Sequence, residues 1–182
     1  MPEGLRRYHH SQQSHFITFT CYHRLPQLHT AEIRDLVVAA LEHARLGYRF
    51  RVYGFVVMPE HVHLLISEPV RATVAQGMQS LKISSAKHVS RLARRAGKEL
   101  PLWQKRYYDR NVRDYEEFAE KLRYIHRNPV KRGLCANPED WRWSSFRHYL
   151  TGEDCGVEIE SEWTARKREG GRAAQLLKFK PR

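Results

Sequence analysis

Two apolar runs joined by a short Met-Pro-Glu linker constrain the fold of this chain more than any other segment. Residues 49–57 and 61–67 are rich in β-branched and aromatic side chains, which is typical of β-strands. Pro59 lies in the linker, where proline favours a turn, so the two runs are predicted to form a β-hairpin. Successive side chains of a strand alternate between its faces, so His61 and His63 are predicted to project from the same face.

The pair formed by His61 and His63 has two interpretations. Two neutral imidazoles side by side on one strand can bind a divalent cation. They can equally be packed or surface histidines without a ligand. The apolar residues on both sides predict a central strand, where buried charged imidazoles are costly and each needs a polar partner. One shared cation satisfies both rings, which favours the metal site.

The rest of the pattern predicts an α+β fold. A strand at residues 15–21 precedes an amphipathic helix at residues 31–46, and Gly47 is expected to end that helix as its C-cap. Further elements are predicted at residues 73–96 (helix), 102–112 (strand) and from 114 onward (helix). A hairpin in the middle of this order favours a mostly antiparallel sheet with packed helices, of the ferredoxin-like or RRM-like kind.

The third predicted helix carries a tyrosine on its polar side. At roughly 100° per residue, Tyr124 falls nearly opposite the apolar stripe of the helix, whereas His126 lies on that stripe. We interpret His126 as a structural histidine. Taken alone, Tyr124 would be an exposed tyrosine or one packed against another element. Because Pro129 disfavours helical geometry at Asn128 before it, the helix is expected to end or bend there.

The charge pattern indicates a polyanionic partner. The formal net charge is +12 and the isoelectric point is about 9.9. The predicted nucleic-acid-binding cations on the second helix and after it are Lys87, Arg91, Arg94, Arg95, Lys98, Lys105, Arg106 and Arg110. Cations contact phosphates, and the aromatic residues between the later cations can stack on unpaired bases. The alternative is a solvated helix face beside ordinary core aromatics.

Composition also bounds the cellular context and the domain organisation. Three widely spaced cysteines without a CxxC pair argue against a disulfide framework and fit a reducing cytoplasm. No apolar run approaches the roughly 18–20 residues of a membrane span, and the N-terminus lacks the apolar region of a secretory signal. Residues 1–150 are predicted to form one domain. Residues 151–182, acidic and then basic, are predicted to form a partly ordered tail.

Several stretches resemble the single-tyrosine HUH transposases, named for two histidines around a hydrophobic residue. Residues 58–65 resemble the HUH signature, and residues 122–130 resemble the tyrosine helix. The resemblance is greatest to the REP-associated tyrosine transposases, relatives of bacterial insertion-sequence transposases. Further similar stretches lie at residues 16–20, 103–104, 107–109 and 141–145. Arg110 stands where many relatives have histidine, which leaves the role of that position open.

This resemblance implies an HUH endonuclease fold with Tyr124 as the nucleophile. It also implies that His61, His63 and Asn128 bind a divalent metal, Mg²⁺ or Mn²⁺. The implied activity is metal-dependent cleavage and strand transfer of single-stranded DNA through a 5′-phosphotyrosine intermediate, at hairpin-forming repeats, by a monomer or a homodimer. The alternative is a non-catalytic DNA-binding regulator derived from a transposase. A cupin-like metalloenzyme would need a longer series of strands, and the three predicted helices disfavour it.

Overall fold

A four-stranded antiparallel sheet forms the centre of the molecule. The computed structural model describes residues 13–95 and 101–178. The sheet has the spatial order β2-β3-β1-β4, with strands β1 (Ser14–Thr20), β2 (Val52–Val57), β3 (His61–Ser67) and β4 (Tyr108–Val112). The α-helices of the described ranges are α1 (Ala31–Tyr48), α2 (Val74–Arg95), α3 (Tyr115–Lys131), α4 (Phe146–Thr151) and α5 (Glu162–Lys178). The predicted α+β class, antiparallel sheet and β2–β3 hairpin are confirmed.

Helices cover both faces of the sheet, and each face has its own core. The larger core lies on the side of α1 and α2 and includes Ile17 of β1 and Leu64 of β3. The smaller core lies on the side of α3 and includes Phe16, Leu65 and Ile125. Because side chains alternate along a strand, β3 residues with odd numbers face α3. The two histidines of β3 are therefore on the α3 side.

Helix α3 runs further than the sequence predicts. It begins at the N-cap Asp114, whose carboxylate accepts a hydrogen bond from the backbone N–H of Glu117 at 2.8 Å. Of the two expected outcomes at Asn128, an end or a bend, the end is wrong, since the helix passes through Pro129 to Lys131. The carbonyl of Asn128 still accepts a hydrogen bond from a later backbone N–H at 3.0 Å, so the last turn remains closed after the proline.

Helix α1 also extends beyond its predicted end. The prediction that Gly47 is the C-cap is wrong, because the helix continues through Gly47 to Tyr48. Arg49 adopts the left-handed conformation at the C-cap, with φ 54° and ψ 52°. Tyr48 packs against the larger core. This tertiary contact outweighs the local preference for glycine at a helix end.

The segment after residue 150 contributes to the fold. Val157 and Ile159 are buried in the larger core, and Ile159 pairs with Val52 at the edge of the sheet. This part of the predicted tail is thus packed against β2, and α5 follows it. Among the helices of the described ranges, none combines the length and the apolar character that crossing a membrane requires.

Candidate active site

His61 and His63 lie side by side on the α3 face of the sheet. Their ring centroids are 4.5 Å apart. Both side chains are buried, with 8% and 5% of their surfaces exposed. The hairpin fixes this arrangement, because the strand alternation directs both rings to one face and the chain reverses immediately before His61.

Helix α3 brings Tyr124 and Asn128 to the same place. The ring centroid of Tyr124 is 5.2 Å from that of His63. Tyr124 is 40% exposed, whereas Asn128, one helical turn later, is buried. Together with the two histidines they line a cleft of about 550 Å³ between the sheet and the helix. The predicted nucleophile and all three predicted metal ligands therefore converge at one site.

Two further side chains that the sequence analysis missed hold the imidazoles in place. Thr18 lies opposite His63 in the β1–β3 register, and its Oγ1 is 2.7 Å from His63 Nδ1. The carboxylate of Glu60 is 3.1 Å from His61 Nδ1. Glu60 precedes the histidine pair, so its proximity could have been inferred from the sequence. Thr18 could not, since its role depends on strand register.

Both imidazoles are neutral at neutral pH, which is the protonation state that binds metals. Burial lowers the pKa of His63 to about 3, with a smaller contribution from His61, and burial also lowers the pKa of His61. A carboxylate can only accept, so Glu60 selects the Nδ1–H tautomer of His61 and leaves a lone pair on Nε2. His63 Nε2 is buried without a hydrogen-bond partner in the described part of the chain.

A divalent cation fits this donor set. An unsatisfied buried nitrogen is costly, and a cation would satisfy it. Within the described residues, no group of three or more His, Cys, Asp or Glu side chains is placed to hold a metal ion. A metal at this cleft would therefore depend on the two imidazoles and the amide oxygen of Asn128, which give a site of low charge.

Cations line the remainder of the cleft. Arg24, Lys131 and Arg132 are among its lining residues, and Glu60 is its only lining carboxylate among the described residues. Glu60 pairs with Arg132 at 2.7 Å, so the positive charge is only partly neutralised. The Lys131 ammonium lies 6.0 Å from the ring centroid of Tyr124. Tyr124 precedes Lys131 by two turns of the same helix. Such a cleft suits a phosphate group.

Comparison with known proteins establishes the family. The sequence profile of the family described as "Transposase IS200 like" matches residues 8–128, which is more than half of the chain. The chain belongs to the IS200-like transposase family. The resemblance stated from the HUH and tyrosine motifs is thereby confirmed, and family membership supports transposase activity at this general level.

Relatives of this transposase place it near the REP-associated branch. A Haemophilus influenzae protein classed as a REP-associated tyrosine transposase is 30% identical over 129 residues, which cover 67% of this chain and 71% of the relative. The Escherichia coli K12 REP-associated tyrosine transposase is 27% identical over 141 residues, covering 78% and 81%. A solved REP-associated tyrosine transposase bound to a REP hairpin matches with a TM-score of 0.68, over 87% of this chain and 92% of that one, at 22% identity. The two proteins share the same fold.

The predicted DNA-binding cations that the structure describes lie on both sides of the sheet of this transposase. Lys87 and Arg91 are exposed on α2, which covers the sheet face opposite the cleft. Lys105 and Arg106 are exposed in the segment that packs beside α2, where Lys82 Nζ donates to backbone carbonyls. Lys98 and the side chains of Arg94 and Arg95 lie outside the described residues.

Arg110 has a different environment from the other predicted cations. It lies on β4, on the α3 side of the sheet, and forms an ion pair with Glu117 of α3. Hydrogen bonds to Glu117 and Tyr108 raise the pKa of Arg110. Its charge is therefore partly engaged within the fold, while it remains on the same side of the sheet as the cleft.

His126 has the structural role that the helical pattern predicts. It is buried on the sheet side of α3, and its Nε2 lies 2.8 Å from Ser145 Oγ. Burial lowers the pKa of His126 to about 4, so the ring is neutral at neutral pH. Ser145 in turn accepts a hydrogen bond from the backbone N–H of Phe55 at 3.0 Å. This network joins α3 to β2 and fixes the helix that carries Tyr124.

Proposed function

We propose that this transposase is a metal-dependent single-stranded DNA endonuclease and strand transferase. Tyr124 is the nucleophile, and His61, His63 and Asn128 hold Mg²⁺ or Mn²⁺. The observation that carries the proposal is the convergence of a partly exposed tyrosine on two buried, neutral imidazoles from a different element. The alternative, in which the histidines are packed or at the surface without a ligand, does not account for this convergence.

The metal would be held by two nitrogens and one oxygen. Imidazole nitrogens and an amide oxygen suit Mn²⁺, and Mg²⁺ accepts such a site when phosphate and water supply further oxygens. When bound, the ion would polarise the phosphate oxygens and orient the target phosphodiester. Thr18 and Glu60 keep the rings in the required orientation through their contacts to the Nδ1 atoms.

The chemistry then follows from the position of Tyr124. Its phenolic oxygen loses its proton to the solvent and attacks the phosphorus, a new O–P bond forms, and the bond from phosphorus to the 3′-oxygen breaks. The departing oxygen takes up a proton as a 3′-hydroxyl, and the 5′ end stays covalently attached to Tyr124. Another 3′-hydroxyl can attack this intermediate and join two strands, because the covalent link preserves a phosphodiester for exchange. The Lys131 ammonium, 6.0 Å from the ring centroid of Tyr124, is placed to pair with the negatively charged phosphate.

The proposed substrate is hairpin-forming repeat DNA with a flanking single strand. The solved relative that shares the fold is bound to a REP hairpin. The positive net charge of the chain and the cations that line the cleft are consistent with a polyphosphate ligand.

A covalent-trapping experiment tests this function. The protein is incubated with labelled single-stranded hairpins from its own genomic flanks, with Mg²⁺ or Mn²⁺, and denatured adducts are separated on a gel. We expect an adduct with the wild-type protein and none with Tyr124→Phe. Tyr115→Phe is the matched control, because Tyr115 is on the same helix, is 83% exposed and is not a cleft residue. It should form the adduct normally.

Two results would contradict the proposal. An adduct that persists in Tyr124→Phe would mean that another residue is the nucleophile. Tight DNA binding by all variants without any adduct, on the chain's own repeats and on those of its relatives, would instead support the non-catalytic DNA-binding regulator.

A further inference from the structure

We propose that Tyr108 forms a subsite for an unpaired nucleobase of the DNA strand that enters the cleft. This inference rests on the proposed function and adds a position that reads the single-stranded flank of the substrate. Tyr108 is the first residue of β4 and is 43% exposed.

Tyr108 belongs to a row that crosses the sheet to the histidine pair. In the strand register, Thr18 lies opposite His63 on one side and opposite Tyr108 on the other. Adjacent strands are about 4.8 Å apart, so Tyr108 is about 10 Å from His63 across β1. All three residues belong to the α3 face, because Thr18 contacts His63 and Tyr108 contacts Phe16 of that face.

A series of ring contacts also connects Tyr108, through Phe16, with the proposed nucleophile Tyr124. Phe16 is buried between the two tyrosines, with its ring centroid 6.4 Å from that of Tyr108 and 5.9 Å from that of Tyr124. Both contacts are edge-to-face, with interplanar angles of 71° and 78°. The buried Phe16 thus supports two exposed tyrosines, one at the cleft and one beside it.

The other aromatic residues of the same segment are occupied elsewhere. Trp103 is buried on the opposite side of the sheet and its indole N–H donates to Ser85 at 2.9 Å. Tyr107 is only partly exposed and packs against the larger core. Of these three aromatic side chains, Tyr108 alone presents a large exposed surface beside the cleft.

Cations accompany the aromatic row. Lys121 Nζ lies 5.7 Å from the ring centroid of Phe16, and Lys131 Nζ lies 6.0 Å from that of Tyr124. Lys121 contacts Glu120 at 3.1 Å, a surface pair that a phosphate can replace at small cost. Exposed aromatic rings with adjacent cations are the combination that binds single strands, since every unpaired base has a face and every nucleotide a phosphate.

Stacking on Tyr108 therefore requires an unpaired base and not a base pair within the stem. Fluorescence anisotropy without added metal tests this, using the full chain and two labelled probes: a hairpin with its single-stranded flank, and the same hairpin without it. We expect Tyr108→Ala to weaken binding of the flanked hairpin by about fivefold to 150-fold. Binding of the flankless hairpin should not change, and Tyr108→Phe should bind both probes as the wild type does.

The controls separate stacking from other roles. Tyr115→Ala, which removes an exposed tyrosine far along α3 from the cleft, should bind both probes normally. Equal weakening of both probes by Tyr108→Ala, or no weakening of either, would overturn the proposal. A loss in Tyr108→Phe as large as in Tyr108→Ala would also overturn it, because the hydroxyl that contacts Arg110 would then be responsible.

A second probe observes the base directly. With 2-aminopurine in the flank, its fluorescence should be quenched on binding to the wild type and to Tyr108→Phe, but not to Tyr108→Ala. Quenching that is the same in all three proteins would overturn the subsite. These binding measurements need no cleavage. A negative result for the Tyr108 subsite is therefore distinct from a negative result for the proposed function, which is the absence of the covalent adduct.

Discussion

Helix α3 packs closely on the sheet at Gly54, and this contact gives a direct test of how the site is held. A Cβ atom at this position would lie 2.5 Å from Leu122 Cδ1, 3.5 Å from Ser145 Oγ and 3.7 Å from Ile125 Cδ1. Carbon atoms in good contact are about 3.5–4.0 Å apart. In Gly54→Ala, Leu122 must therefore change its rotamer or α3 must move away from the sheet.

The expected loss of stability follows from this overlap. Overpacking by one methyl group in a filled core costs about 1–3 kcal/mol in the free energy of unfolding. For a chain of this size, each kcal/mol corresponds to roughly 2–4 °C in Tm. Because α3 also carries Tyr124 and Asn128, Gly54→Ala should slow adduct formation as well. Urea unfolding followed by circular dichroism measures the first effect, and the trapping gel measures the second.

Gly47→Ala is the matched control and should have the opposite sign. A Cβ at Gly47 would meet nothing within 4 Å, and the residue is inside α1 without a positive φ. Alanine in a helix should therefore raise the free energy of unfolding by about 0.5–1 kcal/mol. A destabilised Gly47→Ala would show that the helix ends there in a left-handed cap. Wild-type stability in Gly54→Ala would contradict the expected loss and would mean that a rotamer change of Leu122 accommodates the methyl group.

Three further predictions concern charge. Glu60→Gln should lower the affinity for Mn²⁺, measured by calorimetry, by about 10-fold to 100-fold. The amide is a weaker hydrogen-bond acceptor for His61 Nδ1 and cannot form the ion pair with Arg132. Unchanged affinity would contradict a role of Glu60 in orienting His61. Burial lowers the pKa of His15, but its contacts with Asp109 at 2.8 Å and Glu68 outweigh burial and raise that pKa above 6.5. The stability that the protonated His15 gains from these carboxylates is complete below pH 6.5 and is lost as the pH rises through the raised pKa. In urea unfolding, His15→Gln should therefore lower the free energy of unfolding more at about pH 6 than at about pH 9. Equal losses at the two pH values would exclude the ion pair. The logarithm of the hairpin association constant should fall linearly with the logarithm of salt concentration in anisotropy titrations, and a flat response would exclude phosphate contacts.

The features that the sequence determined by itself are those with a local physical cause. The alternation of a strand placed His61 and His63 on one face, and the turn chemistry of Pro59 predicted the hairpin before them. Helical periodicity separated Tyr124 from the apolar stripe that contains His126. These patterns arise from the geometry of neighbouring residues, so they are readable without knowledge of the fold.

Non-local pairing decided the rest. The register of β1 against β3 brought Thr18 to His63, and the packing of α3 on one face of the sheet brought Tyr124 to the histidines. The same layering put Lys87 and Arg91 of α2 on the sheet face opposite the cleft, which the helical spacing within α2 could not reveal. Burial of two different faces selects which elements meet, and this selection depends on the whole core and not on any one segment.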